Sequence, residues 1–251
     1  MVENLEKYLP HLIELRQRLI RCALAYGLLL IPLIIFSSEL YTLFAGPILQ
    51  SLPKDGMLIA TEVVTPFTAP LKLALFTGLI LLIPYILHQI WRFVAPGLYP
   101  NEKRMIFPIV LMSTSLFYLG MLFAHFFVLP MALGFFMHVA PKGVTVMTDM
   151  THYMDFVLVL YFAFGASFQV PIVTFILIRT GITSVAALKK HRPYIIVAAF
   201  VIGMLLTPPD VVSQILLAIP LLGLFEGGVL MAKWLPKKDQ SRSLSAERDP
   251  L

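Results

Sequence analysis

"FVLVLYFAFGASFQVPIVTFILI", residues 156–178, runs without a single charged side chain. A helix crossing the hydrocarbon core of a bilayer needs about 20 such residues at a rise of about 1.5 Å each. The run is long enough to cross, yet near its centre it carries a carboxamide, Gln169, two residues before Pro171. Polar groups at that depth are costly and usually have a function. Working outward, further apolar segments fall near 19–37, 71–90, 106–129, 194–206 and 212–231. The fifth segment in chain order, "YIIVAAFVIGMLL" (194–206), reaches only about 20 Å, less than the hydrocarbon thickness. "TPPD" (207–210) separates it from the sixth, because two adjacent prolines forbid continuous helix. The pattern predicts an all-α integral membrane protein with six transmembrane helices, the last two short.

Composition agrees. Hydrophobic residues make up 59% of the 251, charged residues 13%, and the mean hydropathy is +0.86. Soluble domains carry about a quarter charged residues. The single cysteine, Cys22, excludes an intrachain disulfide and a multi-thiolate metal site. The histidines at 11, 88, 125, 138, 152 and 191 include no pair three or four residues apart, so no helical metal site is encoded. The opening "MVENLEKYLPHLIELRQR" is charged and lacks the apolar centre of a cleavable leader, so insertion is expected to use the first span.

Basic residues set the orientation. With six spans, 16 of the 19 Lys and Arg fall on the side that holds both termini; Lys54, Lys72 and Lys142 fall on the other. The positive-inside rule places both termini in the cytoplasm. The 38–70 loop, with Pro47, Pro53, Pro66 and Pro70, is expected to form an ordered cap on the outer face with a short interfacial helix. Residues 1–235 are read as one transmembrane domain and 236–251 as a polar, disordered cytoplasmic tail. No internal repeat is visible, which counts against a secondary transporter built from duplicated halves.

Two inner-face motifs stand out. "HLIELRQRLI" (11–20) places Leu12, Leu15 and Leu19 at helical spacing, with Glu14, Arg16 and Arg18 between them. It reads as an amphipathic surface helix preceding the first span, in which Glu14 and Arg18 can pair four residues apart. "RFVAPGLYPNEKRM" (92–105) crowds Phe93, Leu98 and Tyr99 into a loop with Glu102. Helix punctuation at Asn101 and Glu102 explains part of it; the aromatics suggest a binding platform. Against so basic a background, the Glu14 and Glu102 carboxylates suit the guanidinium groups of a partner, which they can hold by charge-assisted, bidentate bonds.

These motifs, with "SFQVPIV" and "RPYIIVAAFVIGMLLTPPDVVSQ" and the six-span layout, resemble the TatC family, the multispanning subunit of the twin-arginine protein translocase. The resemblance covers about residues 9–235. It implies a curved helical bundle in the bacterial inner membrane that receives signal peptides bearing paired arginines and starts the export of folded cargo. It implies assembly with the single-span subunits TatA and TatB, self-association in a receptor complex, and transport driven by the proton-motive force. It implies no cofactor, metal, nucleic acid or catalytic nucleophile, and so no enzyme. The family's signal-peptide contacts fall on Glu14, Arg16, Phe93 and Glu102. Its partner-subunit patch falls on Met204, Thr207 and Gln214, while Pro47 and Asp210 match positions it relies on in the outer cap and last turn.

The family normally has glutamate where this chain has Gln169. Pro171 lacks an N–H, so the Ser167 carbonyl loses its helical partner. The bland reading is a local kink patch; the functional one is a hydrated notch offering a hydrogen bond to an entering helix. Glutamine keeps the hydrogen bonding but cannot ionise. Glu226, beside Gly227 and Gly228, reads equally as a structural or a functional carboxyl. The rival class is a small ion-coupled carrier with Gln169, His125 and Glu226 as its polar pathway.

Overall fold

The computed structural model describes residues 2–46, 58–98, 106–139, 148–206 and 211–234. Helix α1 spans Val2–Ile35. It is followed by α2 (Ser37–Phe44), strand β1 (Leu58–Ile59), α3 (Thr65–Leu98), α4 (Ile106–Phe123) and α5 (Leu129–Val139). Strand β2 (Thr148–Asp149), α6 (Met150–Ser167), α7 (Val170–Arg179), α8 (Val185–Lys190), α9 (Arg192–Leu206) and α10 (Val211–Trp234) complete the chain. Among the described residues, four helical stretches are long and apolar enough to cross a membrane: Pro10–Ile35, Thr65–Val94, Ile106–Phe135 and Met150–Ile178. Shorter apolar helices at Arg192–Val201 and Ala218–Leu230 fall where the fifth and sixth spans are expected.

Several boundaries differ from the sequence reading, each for a backbone reason. The 11–20 segment is not a separate surface helix but part of α1, which continues through Pro10 and Pro32. At 34 residues α1 is about 50 Å long, so it exceeds the hydrocarbon thickness without a break. The second span does not stop at residue 90: α3 runs on to Leu98, and it begins at Thr65 with Pro66 in its first turn, where a missing N–H costs nothing. The third span continues to Val139 across a π-helical segment, Ala124–Val128.

The core lies where α3, α4 and α6 meet. Leu73, Met154, Val157, Leu160 and Phe164 are almost completely enclosed. Lipid tails are as apolar as these side chains, so helix association here rests on close packing. Two glycines permit it: a Cβ on Gly120 would lie 2.6 Å from the Phe164 carbonyl oxygen, and one on Gly165 would lie 2.7 Å from the Phe117 ring. Prolines inside α3 free carbonyls that neighbours then use. Pro84 cannot donate to the Ile80 oxygen, and the Tyr118 hydroxyl of α4 does so at 3.1 Å.

A two-stranded cap joins two distant loops. β1 and β2 pair in parallel, with Leu58 opposite Thr148 and Ile59 opposite Asp149. The short helix α2 is the element expected in the 38–70 loop. Pro47, the 207–210 turn and the 236–251 tail lie outside the described residues.

Candidate functional site

The N-terminal part of α1 and the C-terminal end of α3 bring together residues that are far apart in the chain. Glu14 and Arg18 share one face of α1, four residues apart. Arg18 donates from Nε to Glu14 Oε1 at 3.0 Å, and its Nη2 reaches the same oxygen. Arg18 Nη1 donates to Gln89 Oε1 of α3 at 3.0 Å and to the Gln89 carbonyl at 3.4 Å. The local pairing foreseen in the sequence is therefore present, but it is half of a link across two helices. Phe93 lies one turn beyond Gln89, its ring edge-on to His11 with centroids 6.4 Å apart. Arg16 is exposed and projects from the opposite face of α1. Glu102 lies outside the described residues, as do Thr207 and Asp210.

Deeper in the bundle, the fourth span breaks. α6 ends at Ser167 and α7 starts at Val170, so Phe168 and Gln169 form the joint. The Gln169 N–H turns to the Ala166 carbonyl at 3.0 Å, a tighter bond than the α-helical one. The Gln169 side chain then donates from Nε2 to the Ser113 carbonyl of α4 at 2.9 Å, while the Ser113 hydroxyl accepts from Trp91 Nε1 at 2.8 Å. Ser113 lies about 10 Å into α4 from its inner end, so this three-helix link is within the bundle. Gln169 Oε1 is buried with no hydrogen-bond partner among the described residues. Pro171 is buried against α10, where a Cβ on Gly228 would come within 2.7 Å of the Pro171 Cα.

An apolar groove of about 620 Å³ runs along α6 against α3. Phe76, Leu79, Leu158, Val159 and Phe162 line it; Asp155 stands at one end and Ser167, beside the joint, at the other. Lys72 donates to both Asp155 oxygens at 2.9 Å. With both side chains nearly half exposed, that pair contributes at most about 1 kcal/mol.

Near the outer end of α9 and α10, Met204 is 52% exposed. Gln214 is turned inward: its Nε2 donates to the Phe200 carbonyl at 2.8 Å and ties the two short helices together. The residues of the carrier reading do not connect. His125 Nδ1 lies 2.5 Å from the Tyr161 hydroxyl, Glu226 pairs with Arg192, and Gln169 engages Ser113. No hydrogen bond among the described residues links the three sites.

Residues 10–220 match the sequence model of the family described as Sec-independent protein translocase protein (TatC). The chain belongs to the TatC family. It is 50% identical to the Sec-independent protein translocase protein TatC of Haemophilus influenzae over 241 residues, covering 96% of this chain and 94% of that one. It is 47% identical to the Escherichia coli K12 protein of the same name, over 96% and 93% of the two chains. Among solved structures, a crystal structure of the twin arginine translocase receptor TatC matches with a TM-score of 0.81 at 40% identity, over 89% of this chain and 98% of that one. This TatC chain is a membrane protein of the translocase class, and the carrier reading is not favoured.

Sequence reasoning about TatC motifs missed two polar arrangements. Asp149 caps α6 by accepting from the Thr151 and His152 N–H groups at 2.8 and 3.0 Å. It also accepts from the Thr61 hydroxyl at 2.7 Å and the Thr61 N–H at 3.2 Å. The His152 N–H, then the Thr61 hydroxyl, hold its carboxyl down to about 2. The cap was readable in "TDMT" as an aspartate before a helix; the bond to Thr61, 88 residues away, had no local signal. Gln89 was equally silent, a lone amide in an apolar run.

Proposed function

We propose that this chain is the signal-peptide receptor and core subunit of a translocase that exports folded proteins carrying twin-arginine signal peptides across the bacterial inner membrane. The observation that carries this reading is the meeting of α1 and α3, where Arg18 ties the Glu14 carboxylate to Gln89 and, one turn beyond Gln89, the Phe93 ring packs on His11. A guanidinium is planar and forked, so it matches a carboxylate in a way that an ammonium cannot. Glu14 and Glu102 take the two arginines, Phe93 offers an apolar surface to the residues that follow, and Arg16 acts from the other face of α1, outside this cluster. The apolar segment of the peptide then lies in the groove along α6, which ends beside Gln169. Gln169 Oε1, unpartnered but enclosed beside the groove's end, accepts from the entering helix once the helices part there.

Both termini face the cytoplasm, TatA and TatB dock at the outer ends of α9 and α10 around Met204, Thr207 and Gln214, and the proton-motive force drives transport. Residues 1–235 act as one unit, several copies associate in the receptor complex, and Pro47 and Asp210 shape the outer loops. No step requires a cofactor or a catalytic nucleophile.

The test is export of a folded arginine-pair reporter in cells lacking their own TatC. This chain should restore export when TatA and TatB are present and fail when either is removed, and a Met204→Cys version should cross-link to one of them. Failure to restore export, together with uptake of a small solute by proteoliposomes holding this chain alone, would establish the carrier instead.

A further inference from the structure

Arg18 is more than a partner of Glu14. It is enclosed, with its side chain only 13% exposed, while that of Glu14 is 42% exposed. Its guanidinium spends Nε and Nη2 on a single carboxylate oxygen, Glu14 Oε1. Its Nη1 is held by Gln89 Oε1, and Gln89 is itself buried. Its Nη2 also points to the Arg92 carbonyl at 3.5 Å. That carbonyl is four residues before Pro96, which has no N–H, so it lacks the usual helical donor. Among the described residues no hydrogen bond falls on Glu14 Oε2.

We propose that Arg18, braced by Gln89 and the Arg92 carbonyl, is the positioning residue of the receptor site: it takes up one oxygen of Glu14 and leaves the other as the acceptor for an incoming guanidinium. This inference rests on the receptor reading above and adds the residue that sets its geometry.

The alternative role for an arginine beside a receptor carboxylate is that of an internal competitor, which the peptide displaces. The geometry argues against displacement. An ejected Arg18 would strand Gln89 Oε1 in a buried position, and orphaned buried polar groups are costly. Arg18 therefore stays when the ligand arrives. A carboxylate offers about four lone-pair positions, and Arg18 occupies those of Oε1. Glu14 then receives one guanidinium through Oε2 and has no capacity for a second, so an arginine pair needs a second acceptor elsewhere.

The experiment measures binding of three synthetic signal peptides, with arginine–arginine, lysine–arginine and lysine–lysine pairs, to the full chain in nanodiscs. The wild-type chain should prefer the arginine pair. Arg18→Gln should weaken binding of that pair about tenfold or more and narrow its advantage over the lysine pair, because a free Glu14 swings and accepts either head group. Gln89→Leu leaves both charged residues in place and should narrow the same advantage to a smaller extent; Arg18→Lys, which keeps the charge but not the fork, should resemble Arg18→Gln. A merely structural role would weaken all three peptides in proportion, and that result overturns the proposal. So does tighter binding by Arg18→Gln, which would make Arg18 a competitor. Wild-type preference with indifferent variants overturns this inference alone, whereas no wild-type preference overturns the receptor reading and this inference with it.

Discussion

Two carboxylates at opposite ends of the bundle have been put to different uses. Asp149, at the N-terminus of α6, accepts from two backbone N–H groups of its own helix and from the N–H and hydroxyl of Thr61. Both of its oxygens are occupied by groups that are part of the fold. Glu14, at the other end, is held through one oxygen by one arginine. Asp149 is 9% exposed, while the Glu14 side chain is 42% exposed. A saturated carboxylate fastens loops together; a half-used one at the surface has capacity for a ligand. Counting filled acceptor positions separates the two roles better than charge or location does.

Substitution at each end tests that contrast. The largest effect is expected from Glu14→Ala, which should lower affinity for an arginine-pair peptide more than tenfold, with a smaller fall in melting temperature than Asp149→Ala gives, because it leaves the enclosed Arg18 without its carboxylate. A matching fall in melting temperature would erase the distinction. Asp149→Ala should do the reverse, lowering the melting temperature by several degrees with peptide affinity intact in the folded fraction. Its pH dependence sharpens the case. The folded-state value of Asp149 is about 2 against an ordinary value of 3.8, so its contribution is complete above about 4 and fades as pH falls towards 2. Asp149→Asn should flatten that part of the pH–stability profile, seen by thermal melts in detergent.

The smallest effect belongs to the site between them. Gln169 is half-used, like Glu14, but enclosed in the bundle, with one donor bond made and its oxygen unpartnered. Gln169→Leu should cost about 1 kcal/mol, a shift of roughly 2–4 °C for a chain of this length. A null result in melting together with lost export would place its value wholly in function.

Much of this layout was legible from the chain. Uncharged runs such as 156–178 gave the long spans, and the proline pair at 208–209 marked off the last helix. Glu14 and Phe93 were readable because charged and aromatic side chains stand out at the edge of an apolar run. The contacts that arrange them were not. Arg18 meets Gln89 across 71 positions and Asp149 meets Thr61 across 88, and no local periodicity encodes such pairings. Boundaries slipped for a related reason. α1 and α3 pass through Pro10 and Pro96 without ending, and at Arg92 a side chain from the neighbouring helix reaches the carbonyl that Pro96 frees. Pro171 does coincide with a real break, and there the packing on either side differs.

That break divides the allegiance of the fourth crossing. Its outer rod, α6, is keyed into α4 by Gly120 and Gly165, and its inner rod, α7, is seated on α10 through Pro171 and Gly228. A load applied to α10 is therefore delivered first to α7, the rod packed most extensively on it. A bend between the two rods falls at Phe168 and Gln169, where the amide bond to Ser113 and the packing of Phe168 on Phe123 oppose it. The molecule thus carries its mechanical fuse beside the end of the groove, so that pulling on one flank is felt where the other is open.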